Sequence, residues 1–271
     1  MNILVTGSAG FIGKYLSTHL AGTITAISRQ DLDLADSAAV TSLLRKQQFD
    51  VIVNCAAAGR HQLKAQDPNI VVNNLVSWSN LYSCMGDACT LINIGTGAEF
   101  DLTKDILDAK EQDIWEQNPV HSYGFSKNLI ARLSTQSKQC YTVRVFGCFD
   151  DSEDSTRPLK RLHTKLANDQ PMIIDQDRWF DMISLVDLCS IIQHIADGKI
   201  FRTRDINAVY AKKTRLSDIF RLYCELHSLD TSMIQIKNSD GLNYTGDGTR
   251  LSNLGVKLIG LEESLRRYKN E

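Results

Sequence analysis

A chain of 271 residues can form one large α/β domain or a main domain with a smaller lobe, and 43% hydrophobic residues, 23% charged residues and four prolines argue against disorder and fibrous repeats. A formal net charge of −2, with Lys and Arg spread along the chain, lacks the basic stripe that a phosphate backbone demands, so no nucleic-acid partner is expected. Seven cysteines without a CxxC pair argue against a disulfide framework and against a metal site, while the opening MNILVTGSAG and the lack of 18 consecutive apolar residues predict no membrane partner and a cytoplasmic location.

The first half alternates short apolar runs with amphipathic stretches, the pattern of βαβ units building a parallel sheet. Strands are expected at 2–6, 23–28, 51–54, 89–94 and 140–146, with helices at 11–21, 36–48, 69–85 and 122–138. Asp36 precedes the second helix and is placed to cap it. The first strand runs directly into Gly7, Gly10 and Gly13, spaced GxxGxxG, and into the helix that Phe11 and Ile12 begin. Glycine permits the tight turn and the close packing of helix on strand, and the helix N-terminus offers N–H donors and partial positive charge to an anion. A dinucleotide is therefore the expected ligand.

The second strand ends in Ser28 and Arg29. A basic residue there pairs with a 2′-phosphate, which favours NADP(H) over NAD(H), the bland alternative being a solvated surface arginine. Asp33 and Leu34 follow in DLDLAD, and Cys55, Ala56 and Ala57 end the third strand; small residues at that edge leave room for the cofactor. The fourth strand delivers Gly95, Thr96, Gly97 and Ala98 to the edge where open parallel sheets bind ligands, so Thr96 can hydrogen-bond a carbonyl oxygen or satisfy its own backbone.

Tyr123 and Lys127 stand four apart in HSYGFSKNLIARL, so a helix brings phenol and ammonium onto one face. A nearby cation favours the phenolate and tunes the proton donor towards the working range. After Gly147 the segment CFDDSEDSTRP reads as a surface loop rather than a sheet element, and it marks the boundary of a second lobe. The expected division is residues 1–147 as a doubly wound dinucleotide-binding Rossmann domain, with 180–210 returning to it as strand, helix and strand. Residues 148–179 and 211–271 are then the substrate lobe.

The GxxGxxG turn, NCAAA at 54–58, the strand-end Thr96 and the YGFSK of Tyr123 to Lys127 together resemble an extended short-chain dehydrogenase/reductase of the NAD-dependent epimerase/dehydratase family. DLDLADSAAVTSLLRKQQFDVIVNCAAA and GTGAEFD are similar to the sugar-nucleotide reductases of the dTDP-4-dehydrorhamnose reductase kind. FDMISLVDL at 180–188 and RLSNLG at 250–255 resemble the family's later motifs.

The resemblance implies a nucleoside-diphosphate-linked keto-sugar as substrate and catalytic roles for Thr96, Tyr123 and Lys127. Tyr123 protonates the carbonyl oxygen, Lys127 binds the nicotinamide ribose, and Thr96 holds the carbonyl. Gly97 and Ala98 would touch the sugar, and Arg157, Lys160, Arg161 or Arg178 the diphosphate. Relatives commonly pair as homodimers through two helices, here 71–82 and 123–133. Family dehydratases carry Asp-Glu directly after the threonine; this chain has Gly97-Ala98, with Glu99 one place out of step. Two rival readings stay open: an NAD-dependent sugar-nucleotide 4-epimerase using the same tyrosine and lysine, and a non-catalytic dinucleotide-binding module.

Overall fold

The computed structural model describes residues 1–59, 66–198 and 203–269. Residues 60–65, 199–202 and 270–271, inside the ranges expected above, lie outside it. In chain order come β1 (Asn2–Thr6), α1 (Phe11–His19), β2 (Thr23–Ile27), α2 (Ser37–Lys46), β3 (Val51–Asn54), α3 (Pro68–Cys84) and β4 (Thr90–Thr96). A 3-10 turn (Gly97–Phe100) leads to the short β5 (Ile106–Ala109), then α4 (Ser122–Thr135) and β6 (Cys140–Val145). The predicted ends are met to within three residues. Helix starts follow their caps: the Asp36 carboxylate accepts from the Ala39 N–H, and Asp67 accepts from Asn69 with Pro68 at the first helical position.

The remainder comprises β7 (Gly147–Phe149), α5 (Pro158–Ala167), β8 (Met172–Ile174), β9 (Met182–Ser184), α6 (Leu185–Ala196), β10 (Asp205–Asn207), α7 (Leu216–Leu226), β11 (Ile234–Ile236), β12 (Tyr244–Gly246), α8 (Thr249–Asn253) and α9 (Leu261–Arg267). The expectation of a plain loop after Gly147 is corrected here. Gly147, Cys148 and Phe149 pair in parallel with Met182, Ile183 and Ser184, because Cys148 and Phe149 have buried places to fill before the acidic run begins.

Six parallel strands form the central sheet in the order β10-β6-β4-β3-β1-β2. The chain moves outwards from β1 to β2, then returns past β1 to β3, so the connections diverge between β1 and β3 and open a crevice at their carboxyl ends. Alternate residues feed opposite faces. Ile3, Val5, Val53, Ile92 and Val143 meet α1 and α6, whereas Leu4, Ile52 and Leu91 meet α2, α3 and α4. Each fully buried Ile or Leu contributes roughly 1.5–3 kcal/mol, which makes the sheet a rigid platform for its edge.

A separate apolar cluster gathers Phe149, Leu159, Leu162, Phe220, Tyr223 and Leu265 around β8 and β11. Between the two cores, β12 pairs with β5, and this ladder carries the C-terminal segment back to the end of β4. That return decides what faces the crevice.

Candidate active site

A polar ladder fixes the carboxyl edge of the sheet. The Thr6 hydroxyl donates to Asn54 Oδ1 at 2.7 Å, the Asn54 amide donates to Asn93 at 3.2 Å, and Asn93 donates to the Ser134 hydroxyl at 3.0 Å. All four are buried, and each bond satisfies a group that would otherwise be costly to desolvate. Above this edge Gly7 turns with φ +64, and a Cβ there would lie 2.8 Å from the Ala56 nitrogen. A Cβ on Gly13 would lie 2.3 Å from the Gly7 carbonyl oxygen. Both glycines are required by backbone that comes too close for any side chain. The first turn of α1 carries no side-chain cap, so its N–H groups are directed at the crevice.

One cavity of about 1080 Å³ runs along this edge. It is lined by Gly7, Gly10, Phe11, Ile12 and Gly13 from the first turn, by Arg29, Asp33 and Leu34 after β2, and by Cys55, Ala56 and Ala57 after β3. At the far end stand Thr96, Ala98, Tyr123 and Lys127, with Arg157 and Arg178 from the C-terminal part of the chain. Residues from three sequence regions thus share one crevice. Three predicted residues, Gly97, Lys160 and Arg161, do not line it. Gly97 is covered by Phe146 and Tyr244. Arg161 is exposed on α5, because the stripe Leu159, Leu162 and Leu166 turns into the lobe core and leaves the residue beside it in solvent.

Lys127 is 3% exposed, and its ammonium donates to the Ile94 carbonyl at 2.7 Å. Burial pushes its pKa below the ordinary lysine value, opposed by the negative charge of Glu99. Tyr123, one helical turn earlier, is 8% exposed beside the same cavity. Glu99 lies behind the catalytic edge rather than in the cavity lining. Its Oε1 accepts from the Thr96 backbone N–H at 2.9 Å, and its Oε2 meets Arg144 Nε at 2.6 Å. Arg144 also donates to Asn207 at 3.0 Å and contacts Asp205 at 3.0 Å, the latter electrostatically rather than as a well-directed hydrogen bond. Burial raises the Glu99 carboxyl, against the pull of Arg144 and Lys127.

The arginines differ. Arg29 is 80% exposed and 3.7 Å from Asp33. Arg157 is fastened down: its guanidinium lies 4.0 Å over the Phe11 ring and donates to the Cys148 carbonyl at 2.6 Å. Arg178 is not. Its Nε is buried without a hydrogen-bond partner, 5.1 Å separates the guanidinium from the Phe180 ring, and no ion pair found among the described residues includes it.

Residues 3–207 match the model of the NAD dependent epimerase/dehydratase family. The chain belongs to that family. As a member it is a nicotinamide-dependent oxidoreductase. It is 24% identical over 94% of its length to GDP-6-deoxy-D-talose 4-dehydrogenase of Aggregatibacter actinomycetemcomitans, of which 91% is covered. Its fold is that of the dTDP-4-dehydrorhamnose reductase of Clostridium acetobutylicum, with a TM-score of 0.79 at 20% identity over 99% of this chain and 98% of that one. The Bacillus anthracis dTDP-4-dehydrorhamnose reductase, solved in complex with NADP, superposes with a TM-score of 0.82 at 15% identity over 98% and 96% of the two chains.

Sequence reasoning missed several residues at the site of this family member. Asn74, inside α3, clamps the 55–59 loop by accepting from the Ala58 N–H at 2.7 Å, and it donates to the Ser126 hydroxyl at 2.8 Å. A lone asparagine in an amphipathic helix gives no such signal. His121 lines the cavity, its Nδ1 buried without a partner. Leu242, Asn243 and Tyr244 line it from a region whose sequence has no clear period.

Proposed function

We propose that this chain is a reductase of nucleoside-diphosphate-linked keto-sugars, with NADPH as the favoured donor and Tyr123 as the proton donor. The observation that carries the reading is the meeting of Thr96, Tyr123 and Lys127 at the end of β4, in the cavity that the glycine turn opens. The uncapped α1 N-terminus and the missing side chains at Gly7 and Gly13 fit a bound pyrophosphate. When bound, a reduced nicotinamide supplies hydride to the sugar carbonyl carbon.

The chain's own residues do the rest. The Lys127 ammonium, held on the Ile94 carbonyl, favours the phenolate form of Tyr123 and so eases proton transfer to the carbonyl oxygen. Thr96 orients that oxygen. Arg178 is our candidate for the substrate's phosphoryl charge, since a desolvated guanidinium without a protein anion gains most from a ligand anion. Arg157, stacked on Phe11, would tie the lobe formed by 148–179 and 211–271 to the cofactor end. Glu99, locked to Arg144 behind Thr96, is poorly suited to be a dehydratase acid.

Arg29 supports NADPH because its exposed side chain can turn from Asp33 to a 2′-phosphate; Asp33 itself would serve a ribose hydroxyl of NADH. The Bacillus anthracis dTDP-4-dehydrorhamnose reductase is solved with NADP and the dTDP-glucose 4,6-dehydratase of the same organism with NAD, so the choice rests on Arg29. Val72, Val76 and Tyr82 on α3 and Phe125 and Leu133 on α4 are exposed on adjacent helices, and we take them as the face for a second copy, to be checked by sedimentation. All seven cysteines are free thiols, and no helix among the described residues is long and apolar enough to cross a membrane. The deciding experiment incubates the protein with NADPH and a panel of nucleoside-diphosphate 4-keto sugars and follows loss of reduced-nicotinamide absorbance. Oxidation with at least one is expected, and none with any of them rejects the reading.

A further inference from the structure

We propose that Tyr244, contributed by the C-terminal lobe, is a positioning residue for the reaction, fixing the Thr96 hydroxyl so that a single proton is directed at the substrate's carbonyl oxygen. The inference rests on the role given to Thr96 above.

The backbone of Tyr244 is fixed on three sides. Its N–H donates to the Trp179 carbonyl at 2.9 Å, its carbonyl accepts from the Asp181 N–H at 3.1 Å, and it stands opposite Ile106 in the ladder of β5 and β12. Its ring meets Phe146 edge-on, with centroids 5.0 Å apart, and leans on Phe180 at 5.7 Å. These contacts leave the ring one direction to extend, across Gly97. A Cβ on Gly97 would come within 2.7 Å of the Tyr244 hydroxyl, so a glycine after Thr96 is what admits the phenol. There the hydroxyl comes within electrostatic reach of the Thr96 side chain and of the Tyr123 phenol, and we take the Thr96 hydroxyl as its hydrogen-bond partner.

Counting protons gives the consequence. A threonine hydroxyl has one proton and two lone pairs. The Ala98 N–H already donates to Thr96 Oγ at 3.3 Å. If the Tyr244 hydroxyl donates to the second lone pair, the threonine's proton has no partner in this pair and turns to the cavity. The reverse order, with Thr96 donating to Tyr244, would leave the threonine no proton for the substrate, so the role given to Thr96 requires the first. The pair so ordered offers one donor, on Thr96, to an oxygen lying between Thr96 and Tyr123. Burial pushes the Tyr244 phenol above its ordinary range, which keeps it a donor at all working pH values. Linked donors of this kind strengthen one another in a low-dielectric site.

Tyr244→Phe keeps the ring between Phe146 and Phe180 and removes only the hydroxyl. With whichever keto-sugar nucleotide is turned over, kcat is expected to fall by about tenfold, well short of the loss from removing a direct oxyanion donor. The KM for NADPH and the urea midpoint should stay at wild-type values. Thr96→Val should cost more, and the double variant should be no slower than Thr96→Val alone, because Tyr244 acts only through that hydroxyl. Thr96→Ser, which leaves the backbone and Tyr244 untouched, should retain activity within about threefold, since the same phenol holds the serine. The proposal is overturned if Tyr244→Phe matches wild type, if the two losses multiply in the double variant, or if Thr96→Ser falls as far as Thr96→Val. A wild-type protein that oxidises NADPH with none of the sugars overturns the parent reading, and this one with it.

Discussion

Replacing Gly13 by alanine tests how closely α1 must approach β1 for a dinucleotide to bind. The new Cβ would sit 2.3 Å from the Gly7 carbonyl oxygen, 2.8 Å from its carbonyl carbon and 3.2 Å from the Ser8 Cα, whereas ordinary contact begins at 3.4 Å. About 1.1 Å must therefore be recovered, and every crowded atom is backbone, with no flexible side chain to swing aside. Overpacking of this kind costs roughly 1–3 kcal/mol. The least constrained way out is for the start of α1 to tilt off the turn, carrying its N–H donors away from the pyrophosphate, so the same energy is spent against cofactor binding. Expressed as affinity this is about a 5- to 150-fold rise in Kd for NADPH. Calorimetric titration of the purified variant measures it without any sugar substrate. Two controls grade the effect. Gly10→Ala would meet only the Gly7 oxygen, at 3.2 Å, and should weaken binding less; Gly86→Ala meets nothing within 4 Å and should leave binding unchanged. A Gly13→Ala protein with wild-type Kd and an unchanged thermal midpoint would refute the packing argument.

Further outcomes follow from the catalytic end. Tyr123→Phe should lower kcat by about 10²–10⁴ while NADPH affinity holds, and measurable turnover near the wild-type rate would remove the phenol from the mechanism. Because burial depresses the Lys127 ammonium and the reaction needs its charge, kcat should decline as pH rises through a value below the ordinary lysine range, not within it. Glu99→Gln takes away the carboxylate that opposes this depression, so that decline should begin at lower pH still, an outcome that a pH profile of kcat resolves. Glu99→Leu strands a fully buried Arg144 with Asp205 as its remaining acid, and a loss of about 3–5 kcal/mol in denaturant unfolding is expected. Arg29→Ala should raise the KM for NADPH and leave that for NADH alone; equal effects on both would make Arg29 a plain surface residue.

Much of the fold was legible because its signals are local. Alternating apolar runs and amphipathic stretches locate the first five sheet strands and four helices, since a strand buried on both faces must be apolar throughout and its crossover helix on one side only. The glycine spacing is equally local: Gly7 and Gly13 are demanded by atoms a few residues away or by the next strand over. Tyr123 and Lys127 could be paired from sequence because one helical turn fixes their relation without reference to anything else.

Other features depend on which distant segments the packing brings together. Nothing in CFDDSEDSTRP announces that Cys148 and Phe149 pair with Ile183 and Ser184, because a three-residue strand has too little pattern to betray a partner far along the chain. Of the candidate arginines, Arg161 is turned out by the apolar stripe of α5, Arg157 is bound to Phe11 and Cys148, and Arg178 is half-buried with no ion pair among the described residues, a sorting that charge and spacing do not encode. Tyr244 comes to stand over Gly97, beside Thr96, across almost 150 positions only because β12 docks beside β5. The sequence by itself determined the parallel sheet, the dinucleotide turn and the tyrosine–lysine pair, each set by neighbours within a turn or a strand. Tertiary structure alone decided what stands opposite them, because long-range pairing depends on the shape of two finished surfaces and not on the residues of either one.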